Sequence, residues 1–304
     1  EFGKSVALLD DRIFVGSGTT VTAANGDTTA APAVHEFEKQ SDGTWSESAV
    51  IHGPKSENTG FAQSILASSE RLLVSAPRQN GGAVLAFQRS ETGWTKVQTL
   101  AADELDQGAR FGSALHRDDD QVYVGAPLAY SATGIVYTFS YDSKSGAWKQ
   151  NGRILPPDGS RDQLFGDSVT DDGTDLWIGA PGAISGAGVL YRFEYRDGFW
   201  SAAYQVSHPE LKSENGLGAT LAAEEETVLT GLPGGDNDAG TIAFYSSNRS
   251  SWAQDAPRAP QSGKAFSSVT GEPKPCENGK AVSFGCEGVD LKSFLPIGEI
   301  GGER

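Results

Sequence analysis

Histidine and cysteine, the residue types that most often take part in catalysis, are scarce in this chain of 304 residues. The four histidines are His35, His52, His116 and His208, and they fall at unrelated places in the sequence pattern. Their spacing does not assemble a nucleophile, a histidine and an acid into a triad. The 40 acidic residues could supply the carboxylate pair of a glycosidase, but so many acids form such pairs by chance. We therefore expect a protein that is not an enzyme.

Two short turns contain aspartates that could ligate calcium, in Asp118-Asp119-Asp120 and in Asp171-Asp172-Gly173-Thr174-Asp175. Calcium takes roughly six to eight oxygen ligands, and turns of this length cannot supply so many. Aspartate and glycine also favour turns without any metal. The sequence predicts no metal and no cofactor, with Asp118, Asp120, Asp171 and Asp175 as the weak candidates for calcium.

The glycine-rich run 182–188 resembles a phosphate-binding loop in composition. Strand-forming residues precede and follow it, so no helix N-terminus is available to bind an anion. We interpret the run as a connection between two strands.

The only two cysteines, Cys276 and Cys286, lie close together in a segment that also contains proline and glycine. This spacing suits a local disulfide and an oxidising compartment. Two free thiols in a reducing compartment are the alternative. Two cysteines with no nearby histidine cannot complete a zinc site of four ligands.

The chain is acidic, with 40 acidic and 24 basic residues and a net charge of −16. Such a charge repels nucleic-acid phosphates and anionic lipid surfaces, so neither is an expected partner. No apolar run approaches the roughly 18 residues that cross a bilayer, so we expect no membrane insertion. The chain has no methionine, and we expect a processed product or a fragment of a longer protein, extracellular or on the cell surface after removal of a signal peptide.

A repeat with two landmarks organises most of the sequence. The second landmark always follows the first at an offset of 13 residues, as from Gly112 to Gly125. The five pairs are Phe2-Gly3 with Gly16-Ser17, Phe61-Ala62 with Ser75-Ala76-Pro77, Phe111-Gly112 with Gly125-Ala126-Pro127, Phe165-Gly166 with Gly179-Ala180-Pro181, and Leu217-Gly218 with Gly231-Leu232-Pro233. Two alternating apolar runs around a polar turn lie between the landmarks, which predicts a β-hairpin.

Two further strand-like runs follow each hairpin, and the second of them contains a tryptophan in every copy. These tryptophans are Trp45, Trp94, Trp148, Trp200 and Trp252. Four strands in each unit of about 50 residues is the size of a propeller blade. We therefore predict an all-β protein, a β-propeller of five four-stranded blades near residues 2–52, 61–102, 111–155, 165–207 and 217–256. The recurring aromatic residues are expected to pack between blades.

The repeat resembles the FG-GAP repeat of integrin α-chain propellers and of many bacterial extracellular proteins. The Phe-Gly opening and the Gly-Ala-Pro close carry the resemblance over residues 2–256. A linker rich in proline, serine and glycine follows, so we divide the chain into a propeller, residues 1–256, and an irregular tail, residues 257–304. Residues 275–302 of the tail resemble the entry to a second domain in bacterial choice-of-anchor B proteins, which implies a further domain after this chain.

The loops before each Phe-Gly and after each Gly-Ala-Pro vary in length, and both sets belong to the same end of the blades. Variable loops on a rigid frame often bind partners. Acidic residues gather in these loops: Asp103, Glu104, Asp106, Asp158, Asp162, Glu210, Glu214, Asp236 and Asp238. We expect an adhesion, protein-interaction or scaffold module that binds a protein or glycan partner there, or a second copy of itself. The alternatives are an extracellular carbohydrate-active enzyme, and acids that only maintain solubility.

Overall fold

The structure is a computed structural model. It describes residues 2–18, 32–54, 59–102, 104–105, 107–207, 211–224, 227–234, 240–248, 251–258, 280–281 and 284–285, with the backbone alone at 241, 244 and from 246 onward.

Twenty strands form five antiparallel sheets of four strands each, arranged as a five-bladed propeller. Blade 1 contains β1 (Phe2–Leu9), β2 (Arg12–Ser17), β3 (Ala33–Lys39) and β4 (Trp45–His52). Blade 2 contains β5 (Ile65–Ala67), β6 (Arg71–Ala76), β7 (Ala83–Ser90) and β8 (Gly93–Leu100). Blade 3 contains β9 (Leu115–Asp118), β10 (Gln121–Ala126), β11 (Ile135–Asp142) and β12 (Ala147–Ile154). Blade 4 contains β13 (Ser168–Asp171), β14 (Leu176–Ala180), β15 (Val189–Arg196) and β16 (Phe199–Val206), and blade 5 contains β17 (Thr220–Glu224), β18 (Thr227–Leu232), β19 (Thr241–Asn248) and β20 (Ser251–Arg258).

These sheets confirm the predicted blades. In each sheet the four strands are consecutive in the chain, so every blade is one repeat. The last strand ends at Arg258, so the first residues assigned to the linker belong to blade 5.

The two landmarks of a repeat are hydrogen-bonded to each other. The amide of Gly112 donates to the carbonyl of Gly125 at 2.9 Å, and the amide of Ala62 donates to the carbonyl of Ser75 at 2.9 Å. The constant offset of 13 residues is therefore the length of a hairpin whose ends pair. Both landmarks lie at the same end of the blade because the two strands are antiparallel.

Buried apolar side chains form four clusters, one between each consecutive pair of blades. The residue that opens each later blade is fully buried against the blade before it: Phe61, Phe111, Phe165 and Leu217. The fourth-strand tryptophans Trp94, Trp148 and Trp200 contact the same clusters. The repeated aromatic residues are thus the packing material between blades, as expected.

A close approach between backbones accompanies this packing. Gly134 forms a parallel bridge with Phe165 of the next blade. A Cβ atom on Gly134 would lie 2.1 Å from the carbonyl oxygen of Phe165. Only glycine leaves room for two backbones at this distance.

Two single-turn helices, α1 (Ala129–Ala132) and α2 (Ala183–Gly186), connect the second and third strands of blades 3 and 4. In the described part of the chain, no helix has the length and apolar character needed to span a membrane.

Residues 260–304 form a second compact unit. In it, β21 (Lys280–Ala281) pairs antiparallel with β22 (Phe284–Gly285). Cys276 and Cys286 lie outside the described residues, so their disulfide stays a prediction.

Candidate functional site

The loop face is the end of the blades that carries the connections from second to third strands and from one blade to the next. Loops of consecutive blades pair through their backbones there. The amide of Leu164 donates to the carbonyl of Ala132 at 2.9 Å, and the amide of Gly216 donates to the carbonyl of Gly186 at 2.9 Å. Backbone hydrogen bonds therefore fix the positions of these loops relative to each other.

The turns α1 and α2 occupy the same place in adjacent blades and have left-handed backbone. Tyr130 has φ 54° and Ile184 has φ 51°. This region costs a residue other than glycine about 1–2 kcal/mol, and a β-branched residue is an outlier there. The side chains of Tyr130 and Ile184 are 44% and 61% exposed. The fold thus holds two large apolar side chains in solvent on strained backbone, which is typical of functional sites.

Buried hydrogen bonds hold the ends of these turns in place. The amide of Gly134 donates to the carbonyl of Ala129 at 3.0 Å, and the amide of Gly188 donates to the carbonyl of Ala183 at 2.9 Å. Ala129 and Ala183 are themselves buried. The backbone of the strained residues is therefore anchored on both sides.

A cavity of about 480 Å³ opens beside α2. Its lining includes Asp158, Arg161, Asp162, Gln163, Ile184, Tyr191 and Gln205. The buried side chain of Gln163 accepts a hydrogen bond from the Tyr191 hydroxyl at 3.0 Å and donates one to the Asp158 carboxylate. Burial raises the pKa of Tyr191 to about 12, and the negative charge of Asp158 adds to the shift. Tyr191 therefore stays protonated and supports the cavity as a hydrogen-bond donor.

The structure brings three of the predicted acids to α2. Asp158 and Asp162 line the cavity on one side. The exposed Glu214 lies on the other side, where its backbone passes Gly186. The Asp158 carboxylate accepts hydrogen bonds from the Gln163 side chain and from the amide of Ser160, and these bonds stabilise its loop. The Asp162 side chain is exposed.

Glu104 is exposed and forms an ion pair with Arg153 at 3.0 Å. The remaining acids predicted for this face lie outside the described residues: Asp103, Asp106, Glu210, Asp236 and Asp238.

The four weak calcium candidates are not gathered around one point. Asp120 accepts from Arg71, Asp171 from His116 and Asp175 from Arg192, while Asp118 is exposed. Among the described residues, no three His, Cys, Asp or Glu side chains are placed to hold a metal ion.

Sequence reasoning did not single out Tyr130 and Ile184, although a signal for them exists. The two loops share the pattern Ala-X-Ser-X-X-Gly, from Ala129 to Gly134 and from Ala183 to Gly188. A pattern shared by two loops that otherwise vary indicates a shared conformation. The glycine-rich run 182–188 joins strand to strand, as the sequence indicated, but it contains the single turn α2, which the sequence analysis did not predict.

No protein-family model matches the chain, and no curated protein sequence matches it. Many solved structures do. One is the crystal structure of a protein from Lactobacillus plantarum, with a TM-score of 0.51 and 15% identity, covering 81% of this chain and 67% of that one. This likeness supports the propeller fold.

Proposed function

We propose that this propeller is a non-enzymatic binding module, secreted or displayed on the cell surface, that binds a protein partner through its loop face. The observation that carries the proposal is the pair of exposed apolar side chains, Tyr130 and Ile184, on left-handed turns of adjacent blades. Large apolar side chains on a fixed backbone are typical anchors of protein interfaces. Their turns lose little further backbone freedom on binding, because hydrogen bonds already fix both ends.

The charges around α2 favour a partner with basic residues. Asp162 and Glu214 are exposed on either side of this turn, and the whole chain has a net charge of −16. Acids around an apolar centre attract a basic partner over distance and discriminate against an acidic one. The favoured ligand is an apolar peptide segment with flanking lysine or arginine.

The extracellular setting rests on the repeat. Its Phe-Gly and Gly-Ala-Pro landmarks resemble FG-GAP units, which build extracellular propellers. The tail resembles choice-of-anchor B proteins, which supports display at a cell surface. The acidic charge argues against a nucleic acid or an anionic membrane as the partner.

A peptide library displayed on phage tests the proposal. Peptides selected on the immobilised protein are measured against Ile184→Ser, Tyr130→Ser and Asp162→Lys. The first two variants should bind at least about tenfold more weakly because each removes an apolar anchor. Asp162→Lys should weaken binding at low salt and have less effect at high salt.

The matched control is Val97→Ser, which removes a side chain of similar exposure, 52%, from the outer strand β8. It should leave binding unchanged. Selected peptides that bind Ile184→Ser and Tyr130→Ser as tightly as the unaltered protein would contradict the proposal. Melting temperatures separate lost binding from lost fold. They should change little in Ile184→Ser, because the Ile184 side chain is 61% exposed.

A further inference from the structure

A small space recurs between neighbouring blades, where the second strand of one blade begins and a pair of residues from the third and fourth strands of the next blade approaches it. This pair is Arg89 and Trp94 in blade 2, Tyr141 and Trp148 in blade 3, and Tyr195 and Trp200 in blade 4. The residue that begins the second strand is Arg12 in blade 1, Arg71 in blade 2 and Gln121 in blade 3. The three spaces can therefore be compared directly.

An arginine fills the space between blades 2 and 3. The Arg71 guanidinium lies 3.9 Å from the ring centre of Tyr141 and 5.9 Å from that of Trp148. It also forms an ion pair with Asp120 at 3.1 Å. The guanidinium thus stacks on an aromatic pair and pairs with an acid, a favourable combination for arginine. Trp148 is only 6% exposed and also belongs to the apolar cluster between these blades.

Guanidinium groups also fill the space between blades 1 and 2. The buried Glu36 accepts from Arg89 at 2.9 Å and from the Trp94 indole at 3.0 Å. Arg12 completes the group at 3.4 Å from Glu36. Arg89 lies 5.8 Å from the ring centre of Trp94. Arginine, an aromatic ring and a carboxylate therefore occur together at both interfaces.

The space between blades 3 and 4 has the aromatic residues but no such arginine. Tyr195 and Trp200 are paired at 5.1 Å, as Tyr141 and Trp148 are at 5.3 Å. Gln121 takes the place of Arg71, and its amide donates to Asn151 at 3.1 Å. Tyr195 is 59% exposed, whereas Trp200 is half-buried, with its ring 5.9 Å from that of Tyr123.

This substitution leaves an open groove of about 440 Å³, lined by Gln121, Asn151, Tyr195, Phe199 and Trp200 among others. Asp118 also lines it. Partial burial and the nearby charges of Asp171 and Asp119 raise the pKa of Asp118, and the nearby His116 opposes this shift. A cation in the groove would favour the ionised carboxylate. The one arginine in the lining, Arg153, is already paired with Glu104 at 3.0 Å.

We propose that this groove between blades 3 and 4 binds the guanidinium group of an arginine side chain from a partner protein, in the place that Arg71 fills one interface earlier. The arginine stacks on Tyr195 and Trp200 and pairs with Asp118. The groove opens between strands and hairpin turns and shares no described lining residue with the cavity at α2. It is a second contact point, and its existence does not depend on the proposed role of the loop face.

The test uses N-acetyl-arginine amide as the probe and its citrulline analogue as the matched neutral compound. The indole N–H resonance of Trp200 reports binding in a labelled sample, and that of Trp45 serves as an internal reference. We expect millimolar arginine amide to shift the Trp200 signal, and the citrulline compound to bind at least about tenfold more weakly because it lacks the charge.

Two variants and one control test whether the Trp200 shift arises from binding in this groove. Gln121→Arg should fill the groove as Arg71 does, and Tyr195→Ser should remove one ring, so each should abolish the Trp200 shift. Tyr204→Ser removes an exposed tyrosine of β16, the strand that also contains Trp200, and Tyr204 does not line the groove. This variant should leave the shift unchanged.

Three results would overturn the proposal. The first is equal binding of arginine and citrulline amides, which would assign the groove to neutral polar ligands such as sugars. The second is a Trp200 resonance that neither probe moves. The third is a full response in Gln121→Arg. The two proposals can fail separately. Peptides that bind Ile184→Ser more weakly but bind Gln121→Arg normally would support the loop face as a binding site, and this result would not depend on the groove.

Discussion

Blade 1 and blade 3 have the same arrangement of four strands and the same types of repeated residue, but the solvent exposure of those residues differs. Phe111 opens blade 3 and is 1% exposed, whereas Phe2 opens blade 1 and is 63% exposed. Trp148 in the fourth strand of blade 3 is 6% exposed, and its counterpart Trp45 is 41% exposed. The difference arises because the repeated aromatic residues pack against the preceding blade, which blade 3 has in blade 2.

The comparison shows what one repeat encodes. Each blade has two packing faces. Its repeated aromatic residues pack against the preceding blade, and its other apolar face packs against the aromatic residues of the following blade. In the interior both sides are used, as when Phe111 packs with Val84 and Leu100 of blade 2. In blade 1 the aromatic side, with Val6 and Leu8 beside Phe2, is exposed to solvent. Identical sequence landmarks therefore contribute very different stabilisation, and substitutions at matched positions measure the difference.

The largest expected effect is from Phe165→Ala compared with Phe2→Ala. Phe165 is fully buried between blades 3 and 4, at 5.5 Å from the ring of Tyr191 and 5.9 Å from that of Phe193. Removing its ring leaves a cavity and should cost about 3–5 kcal/mol of unfolding free energy. Phe2→Ala should change the unfolding free energy by less than about 0.5–1 kcal/mol because the ring is exposed. Urea unfolding of the two variants provides the measurement, and equal losses would show that Phe2 is covered in solution.

A smaller difference is expected between Gly166→Ala and Gly3→Ala, the second residues of the same two openings. Both glycines have left-handed backbone, with φ +85° and +84°. A Cβ on Gly3 meets no atom within 4 Å, whereas a Cβ on Gly166 would lie 2.9 Å from Val136 and 3.0 Å from the carbonyl of Ile135. Each variant should lose about 1–2 kcal/mol for the backbone alone. Gly166→Ala should lose a further 1–3 kcal/mol or so from crowding.

Because the two φ angles match, the difference between these glycine variants isolates the contact between blades. Denaturant midpoints measured under one set of conditions are sufficient to test it. A Gly3→Ala variant as unstable as Gly166→Ala would mean that another part of the protein lies against β1.

Much of the fold could be predicted from the sequence because one signal was repeated five times. A single Phe-Gly is uninformative, but the constant offset to a second landmark fixes a hairpin length, and its hydrogen bonds are found in the structure, as between Gly112 and Gly125. The exposure of Phe2 could not be predicted in the same way. It depends on what precedes blade 1 in space, and no residue of the repeat records that.

The candidate site was harder to predict for two physical reasons. Left-handed backbone at Ile184 arises from hydrogen bonds and buried neighbours of the whole loop, so the residue type gives no indication of it. The open groove depends on the change from Arg71 to Gln121 at one position of the repeat. An alignment of the repeats displays that change, but only the structure shows the aromatic pair beside it. The acid clusters drew attention to the loops beside α2, at Asp162 and Glu214, and gave no indication of the apolar residues between them.

The smallest expected effect concerns the third residue of the same openings, which is Asp167 in blade 4 and Lys4 in blade 1. Burial raises the pKa of Asp167, and the charge of Arg110 opposes this only in part. The folded protein therefore holds the proton of Asp167 more tightly than the unfolded chain does. It follows that Asp167 supports the fold in its protonated form at low pH, and that this support is lost as the pH rises through the folded-state pKa. Asp167→Asn, which cannot ionise, should be more stable than the unaltered protein at neutral pH, by at most about 1 kcal/mol. The gain should shrink as the pH falls below about 4, where the unfolded carboxyl is protonated as well.

The exposed counterpart Lys4→Asn should change the unfolding free energy by less than about 0.5 kcal/mol at both ends of this range. Urea unfolding across this pH range decides the matter, because a loss of stability in Asp167→Asn at neutral pH would mean that the ionised carboxylate is favourable in its interblade position.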